Sequence, residues 1–465
     1  MGIVLIFPLF YLCKCKKERL IHKEMKGKIA LFSLFLAVGM SDVYAVSGDD
    51  VSAGDTNGQP ERVEKKKRFT IGGYGEAVYS RNFFSDSYLR YNSASKAETL
   101  KDEKHSRFDL PHVVIFLGYD FGKGWTMGAE IEFEHGGTES AVEVEEEEGG
   151  EYESEIERGG EVALEQFWIQ KSFCPEFNIK LGHIIVPVGG TNMHHMPTEF
   201  FGVYRPEGEN TIMPCTWHET GISLWGRAGD WRYEALLISG LDSERFSRKG
   251  WVHDGSASPY EFKIANNLAG AARVDNYSIP GLRLSVSGFV GNSFRNTLRT
   301  PNSSYDDIKG TVTIGSFDFH LDRWNWVARG NFTYGHLTDS RTITQYNMSF
   351  DNNSPSPKQS VASDAIATGV EVGYNVFSQI HKLDQKEQKL YVFGRYDYYD
   401  SMYKTASSII DYDYCGRQRL AFGLNYYPIK DVVIKGEYSI GLMKSYFNNE
   451  PSLSFGVAYS GLFDI

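Results

Sequence analysis

From Arg68 to the C-terminus, apolar residues recur at every second position. In WTMGAEIEFE, Trp125, Met127, Ala129, Ile131 and Phe133 share one face, and Thr126, Gly128, Glu130, Glu132 and Glu134 the other. In VVIKGEYSIGL, Val432, Ile434, Gly436, Tyr438 and Ile440 oppose Val433, Lys435, Glu437 and Ser439. In RQRLAFGLNYY, Leu420, Phe422, Leu424 and Tyr426 oppose Arg417, Arg419 and Asn425. Successive side chains of an extended chain point to opposite faces, so period two predicts strands. Sixteen such segments run to the terminal LSFGVAYSGLFDI, where Leu453, Phe455, Val457, Tyr459 and Phe463 share a face.

Alternation alone does not say which face meets water. A soluble sandwich buries its apolar faces between sheets, whereas a transmembrane barrel turns them out to lipid. The connections separate the two. Short links at 122–124, 175–177, 228–230, 279–281 and 429–431 alternate with long polar ones near 82–107, 135–160, 187–217, 242–267, 294–307, 338–362 and 402–416. Short turns at one end and long loops at the other are the barrel pattern, and an even strand count puts both termini at the turn end. No apolar run after residue 45 reaches the ~20 residues of a membrane-spanning helix. The expectation is an all-β chain: a transmembrane antiparallel β-barrel of about 16 strands over residues 68–465, in the outer membrane of a Gram-negative bacterium.

The N-terminus agrees with export. MKGKIALFSLFLAVGMSDVYA, from Met25, has a basic start, an apolar run from Ile29 to Val38, and small residues before Ala45, the form of a secretory signal peptide. Residues 1–45 are read as an N-terminal extension plus this signal, with translation starting at Met25, and polar residues 46–67 as a disordered periplasmic tail. Removing 1–45 leaves 41 Lys/Arg against 57 Asp/Glu, net -16, which gives no reason to expect nucleic acid as a partner. The cysteines that remain, Cys174, Cys215 and Cys415, show no CxxC spacing, so neither a zinc nor a redox motif is visible.

The chemistry concentrates in TNMHHMPTEFFGVYRPEGE, Thr191 to Glu209, which falls in the third long loop. Adjacent His194 and His195 diverge if the segment is extended, and no HExxH or GxSxG spacing is present. The loop therefore reads as neither a metal site nor a catalytic one, and no cofactor is expected. Pro197, Pro206 and Pro214 stiffen it, and Phe200, Phe201 and Trp217 pin it.

The stretch LGHIIVPVGGTNMHHMPTEFFGVYRPEGENTIMPCTWHETGISLWG resembles the signature region of Bacteroidetes outer-membrane porins related to the phosphate-selective porin O and P family. Gly182-His183, Pro187-Val188-Gly189, Phe200-Phe201, Arg205-Pro206-Glu207, Pro214, Trp217, Glu219 and Gly221 carry the likeness. It implies a 16-stranded, trimeric passive diffusion channel whose third loop folds into the lumen. The partners implied are outer-membrane lipid, lipopolysaccharide, small solutes and two further copies in a homotrimer. Phosphate-selective members carry a ladder of basic residues at the constriction. Here the loop has Arg205 alone beside Glu199, Glu207 and Glu209, so phosphate selectivity is not carried over.

The expected constriction residues are His194, His195, Glu199, Arg205, Glu207 and Glu209. Strand parity also places Lys171, Lys180, Arg227, Arg232, Arg273, Arg283, Arg329, Arg395, Arg417, Arg419 and Lys435 on the lumen face. The acids there are Glu130, Glu132, Glu165, Glu234, Asp275, Glu371, Asp397 and Glu437. Arg395, Arg417, Arg419 and Lys435 would form one basic wall, predicting weak anion preference at high salt that falls or reverses at low salt. The second long loop holds ten glutamates within 139–158. It reads as a solvated surface loop, with weak Ca²⁺ or Mg²⁺ capture as the sharper alternative. The competing function is a secreted or surface all-β binding protein, for example a glycan binder, which needs a dry core between two sheets.

The signal reading predicts a mature protein that begins at Val46. N-terminal sequencing of the membrane-extracted protein checks this, and a start upstream of Met25 overturns it.

Overall fold

The computed structural model describes residues 68–464, apart from 92, 136–139, 147–151, 159–160, 259–261, 352–353, 355, 385–386 and 444–446. The signal and tail readings for residues 1–67 lie outside the described residues.

Sixteen strands close into one antiparallel barrel. They are β1 Phe69–Asn82, β2 His112–Gly122, β3 Trp125–Glu134, β4 Glu161–Cys174, β5 Phe177–Ile185, β6 His218–Ala228, β7 Trp231–Ser239 and β8 Leu268–Ile279. The second half is β9 Leu282–Asn292, β10 Thr311–Arg323, β11 Trp326–Leu337, β12 Asp364–Asn375, β13 Lys389–Lys404, β14 Gly416–Ile429, β15 Val432–Gly441 and β16 Ser452–Asp464. Each strand pairs with its sequence neighbours, and β1 pairs with β16 from Thr70↔Asp464 to Asn82↔Ser452, which removes both edges. β2 continues upward as His105–Asp109, also paired to β1. The break falls at Leu110-Pro111, where proline has no N–H for the ladder.

Eight long connections lie at one end and seven at the other. Six of those seven are two-residue turns. Lys123-Gly124 and Trp324-Asn325 both have positive φ at each position, the backbone that suits a tight hairpin between right-twisted strands. The seventh, 376–388, is longer and carries a short helix, His381–Asp384. It and the eighth long loop, 442–451, are not foreseen by the alternation. Nor is the pairing of Ser140–Glu146 with Tyr152–Arg158 as a separate hairpin inside the acidic loop. The side chains of that hairpin lie outside the described residues, and so does the divalent-cation reading placed on them.

The faces are those of a membrane barrel. Val286, Val290, Phe332, Val370, Phe422, Leu424, Phe455 and Val457 point outward and are exposed, while Glu130, Arg273, Asp318, Glu371, Arg395 and Lys435 point inward and are buried. Trp125, Phe173, Trp324, Trp326 and Phe463 stand exposed near the turn end, as an interfacial aromatic girdle does. Among the described residues one closed sheet surrounds a charged lumen and no second sheet packs face to face against it, so the premise of the soluble binding protein fails. An apolar exterior around a charged lumen places the chain in the outer membrane.

One side chain departs from simple parity. Glu130 pairs with Gln166 and Ile131 with Leu164, leaving Glu165 as an extra residue. Such a bulge reverses the facing of everything beyond it. Lys171 therefore points outward, its Nζ 5.5 Å from the Trp125 ring and 5.6 Å from that of Phe173, rather than into the lumen.

Folded protein is expected to need detergent for extraction and to shift mobility on unboiled gels. Leu424→Arg, on the lipid face, should cost about 2–4 kcal/mol in a refolding titration. Release of the protein as a soluble periplasmic species would contradict the architecture.

Candidate functional site

The loop between β5 and β6 enters the barrel and crosses it. Its stem is apolar: Val186, Val188, Ile212, Met213 and Trp217 are fully buried. Val186 N donates to Trp217 O at 2.8 Å. Asn192 joins the two limbs, its Nδ2 donating to Val186 O at 2.8 Å and its Oδ1 accepting from Trp217 N at 2.6 Å. Two short helices follow, α1 Gly190–Met193 and α2 Glu207–Ile212.

Charged groups hold the loop to the wall. Glu209, fully buried, accepts from Thr191 N at 2.7 Å, Gly190 N at 3.2 Å, Thr333 Oγ1 at 2.6 Å and Ser316 Oγ at 3.2 Å. Lys435 Nζ donates to Phe200 O at 3.0 Å and Gly202 O at 2.7 Å. Glu371 accepts from Phe201 N, and Glu437 from Val203 N at 3.0 Å. Arg419 Nε lies 2.8 Å from Glu207 Oε1, and Tyr399 OH donates to Glu207 Oε2 at 2.7 Å. Burial raises the Glu207 carboxyl, but Arg419, the Tyr399 hydrogen bond, Arg417 and Arg395 together hold the group below its ordinary range. Gly373 makes room for Phe201: a Cβ there would stand 2.4 Å from the ring. Arg205 stays within the loop, donating to His195 O and Thr216 Oγ1, each at 3.2 Å.

The two histidines diverge. His194 Nδ1 lies 3.1 Å from Glu199, and its other nitrogen faces Arg283. His195 Nδ1 donates to Asn192 O at 2.8 Å, while Nε2 points to Glu165 at 3.5 Å. Burial, then Arg205, pushes His195 down to about 4. Burial raises Glu199, but the charge and hydrogen bond of His194 when protonated, with His195 and Arg283, together reverse the shift and hold it at about 2.

A cavity of about 210 Å³ remains between the loop and the wall of β9 to β13. Gly190, Thr191, His194, Thr198, Glu199, Phe200 and Pro206 bound it on the loop side. Arg283, Asp318, His320, Arg329, Asn331, Glu371, Arg395 and Asp397 bound it on the wall side. Of the charged and histidine residues singled out in the sequence, His194, Glu199, Arg283, Arg329, Glu371, Arg395 and Asp397 thus meet at one place. Others do not. Arg232 pairs with Glu234 and Asp275, Glu130 accepts from Gln166, and Glu132 faces His112 at 2.8 Å. Asp318 and His320 were missed, although FDFH alternates and marks them as lumen-facing.

The supposed basic wall is neutralised. Arg395 pairs with Asp397 at 2.8 Å, Arg417 with Glu450 at 3.2 Å, and Arg419 with Glu207, while Lys435 is spent on loop carbonyls. A second loop also turns inward, which the alternation did not reveal. Trp251, in the 240–267 loop, is buried, donates Nε1 to Ala362 O at 3.1 Å, and rests on Gly335.

A closed barrel, lipid-facing outside and charged within, has its lumen narrowed by a loop anchored to the opposite wall. The chain is an outer-membrane β-barrel with a loop folded into its lumen. No family model matches it. A protein of Aquifex aeolicus (strain VF5), itself uncharacterised, is 28% identical over 385 residues, covering 80% of this chain and 76% of that one. Salmonella typhi OmpF, solved with daunomycin, is similar with a TM-score of 0.49 at 11% identity, over 84% of this chain and 97% of that one. The outer membrane channel DcaP of Acinetobacter baumannii is similar with a TM-score of 0.48 at 10% identity, over 84% and 97%.

Loop attachment in this barrel is expected to depend on acid. His195 is neutral when docked and titrates near 6.5 when released, so the stabilisation is full above about 6.5 and lost as pH falls towards 4. Chymotrypsin should cut at Phe200 and Phe201 of the folded barrel faster at pH 5 than at pH 7.5. Glu209→Ala, which removes bonds to a charged acceptor worth ~1.5–3 kcal/mol each, should make the loop cleavable at pH 7.5 as well. A loop equally resistant in all three cases would contradict this anchoring.

Proposed function

We propose that the protein is a passive diffusion channel for small hydrophilic or ionic solutes, rather than an enzyme or a binding protein. The observation that carries this reading is the charged cavity between the third loop and the wall of β9 to β13. A closed lumen only shields its wall, but a loop held across it sets a size and charge limit on what passes. The likeness of residues 160–227 to the phosphate-selective porin O and P family supports the same reading and adds a homotrimer in a lipopolysaccharide-bearing membrane. Phosphate selectivity gains no support, because the arginines of the cavity are answered by carboxylates.

Selectivity follows from the lining. Arg283, Arg329 and Arg395 face Glu199, Asp318, Glu371 and Asp397, an excess of one carboxylate. Burial, then Arg283, lowers His194, so it adds no charge at neutral pH. Exposed loop charges are screened beyond ~8 Å at physiological salt, so this lining decides. It favours a weak cation preference, in place of the anion preference drawn from parity.

Purified protein in a planar bilayer should give stepwise conductance with a small reversal potential of cation sign in a KCl gradient. Deleting 192–213 should raise conductance several-fold, and crosslinking in membranes should trap trimers. No conductance from folded protein, or none gained on deleting the loop, would sink the channel reading.

A further inference from the structure

We propose that His112, Glu132 and Glu134 form a binding site for a divalent transition-metal ion of the Zn²⁺ class, at the loop end of the lumen. The three residues come from two neighbouring strands. Glu132 and Glu134 stand two apart on β3 and so share a face, and His112 on β2 is directly opposite Glu134 in the ladder. The His112 Nδ1 atom lies 2.8 Å from Glu132 Oε1 and 3.8 Å from Glu134 Oε1. One ligand atom from each of the three residues lies within 4.8 Å of the other two. Ligands bound to one zinc ion sit ~2.0–2.2 Å from it, so small rotations of these side chains close the set around an ion.

The donor set selects the metal. Calcium and magnesium take oxygen ligands, while imidazole with carboxylates suits zinc and its first-row neighbours. Glu132 is almost fully buried and His112 mostly so, whereas Glu134 is 38% exposed in its side chain. The site is therefore walled on the barrel side and open at the rim, and three protein ligands leave a further position for water or a solute group. Two carboxylates and an imidazole, which sheds any proton when it ligates a metal, carry a net charge that a divalent cation cancels. Arg205, whose charge acts on Glu132 from the third loop, donates its hydrogen bonds to His195 O and Thr216 Oγ1 and not to this carboxylate pair. Beyond the rim, His135 Nδ1 lies 2.9 Å from Asp109 Oδ1, a second imidazole–carboxylate pair on the approach. The mouth at this point is the root of the loop that carries the ten glutamates, and negative charge at a mouth raises the local concentration of cations.

The test is metal binding to the full-length protein in detergent, independent of conduction. Zn²⁺ titrated calorimetrically should bind at one site per chain, and Co²⁺ should give a visible absorption band at the same stoichiometry. Glu134→Gln and His112→Ala should each weaken Zn²⁺ by at least about tenfold and remove the Co²⁺ band, with heat-shifted gel mobility confirming that each variant is folded. Should His112→Ala not fold, Glu134→Gln at the open rim decides alone. Excess Ca²⁺ should not compete, and a variant lacking 140–158 should keep the site. Zn²⁺ binding unaffected by Glu134→Gln, equal competition by Ca²⁺, loss of binding only when 140–158 is removed, or no binding at all would each overturn the proposal. None of these outcomes depends on whether the protein conducts.

Discussion

Everything in this molecule depends on the closure of β1 onto β16. In hydrocarbon, an unpaired backbone N–H or C=O costs several kcal/mol, so a strand can cross a membrane only if both its edges are paired. The register from Thr70↔Asp464 to Asn82↔Ser452 meets that demand along nearly the whole of both strands. Closure then dictates the rest. Once the ladder is a ring, each strand must present one face to lipid and one to the lumen, and every charge on the inner face must find a partner inside a confined space.

The third loop answers that second demand. On a bare wall Glu371 would keep Arg329, Glu437 only the more distant Arg395, and Arg419 the Glu450 carboxylate, while Lys435 would lose both acceptors of its Nζ; a buried charge short of hydrogen bonds is expensive. Their partners are loop groups: carbonyls of Phe200 and Gly202, the N–H groups of Phe201 and Val203, and the Glu207 carboxylate. In return the loop's own Glu209 satisfies its charge on Ser316 and Thr333 of the wall. Loop and wall are therefore one electrostatic unit, and the cavity is what their mutual satisfaction leaves over. The same economy explains why a run of arginines on neighbouring strands does not make an anion path. Each one is committed before a solute arrives.

Alternation in WTMGAEIEFE and VVIKGEYSIGL was enough to assign faces, because facing is a local property of an extended chain. It failed at Lys171 because a bulge at Glu165 changes the phase, and bulges are set by how two strands meet rather than by either one. It was silent on Trp251, since a tryptophan in a polar loop reads alike whether it rests on Gly335 or in solvent. The stretch around His194 and His195 was legible as an inward loop through its resemblance to known porin loops. Its partners were not, because they lie on strands far from it in the chain, from Glu165 upstream to Arg283, Thr333 and Lys435 downstream.

By itself, then, the sequence determined the strand period, the end at which the long loops gather, the membrane as the solvent for the apolar faces, and the loop that carries the polar cluster. These follow from neighbours in the chain. Only the tertiary structure decided which charges meet. Glu209 finds Thr333, Lys435 finds Gly202, and His112 comes opposite Glu134. Such pairings rest on the register of strands and on the path of a loop through the lumen. Both are settled by the ring as a whole, where each strand's position is fixed by two neighbours and the last by the first.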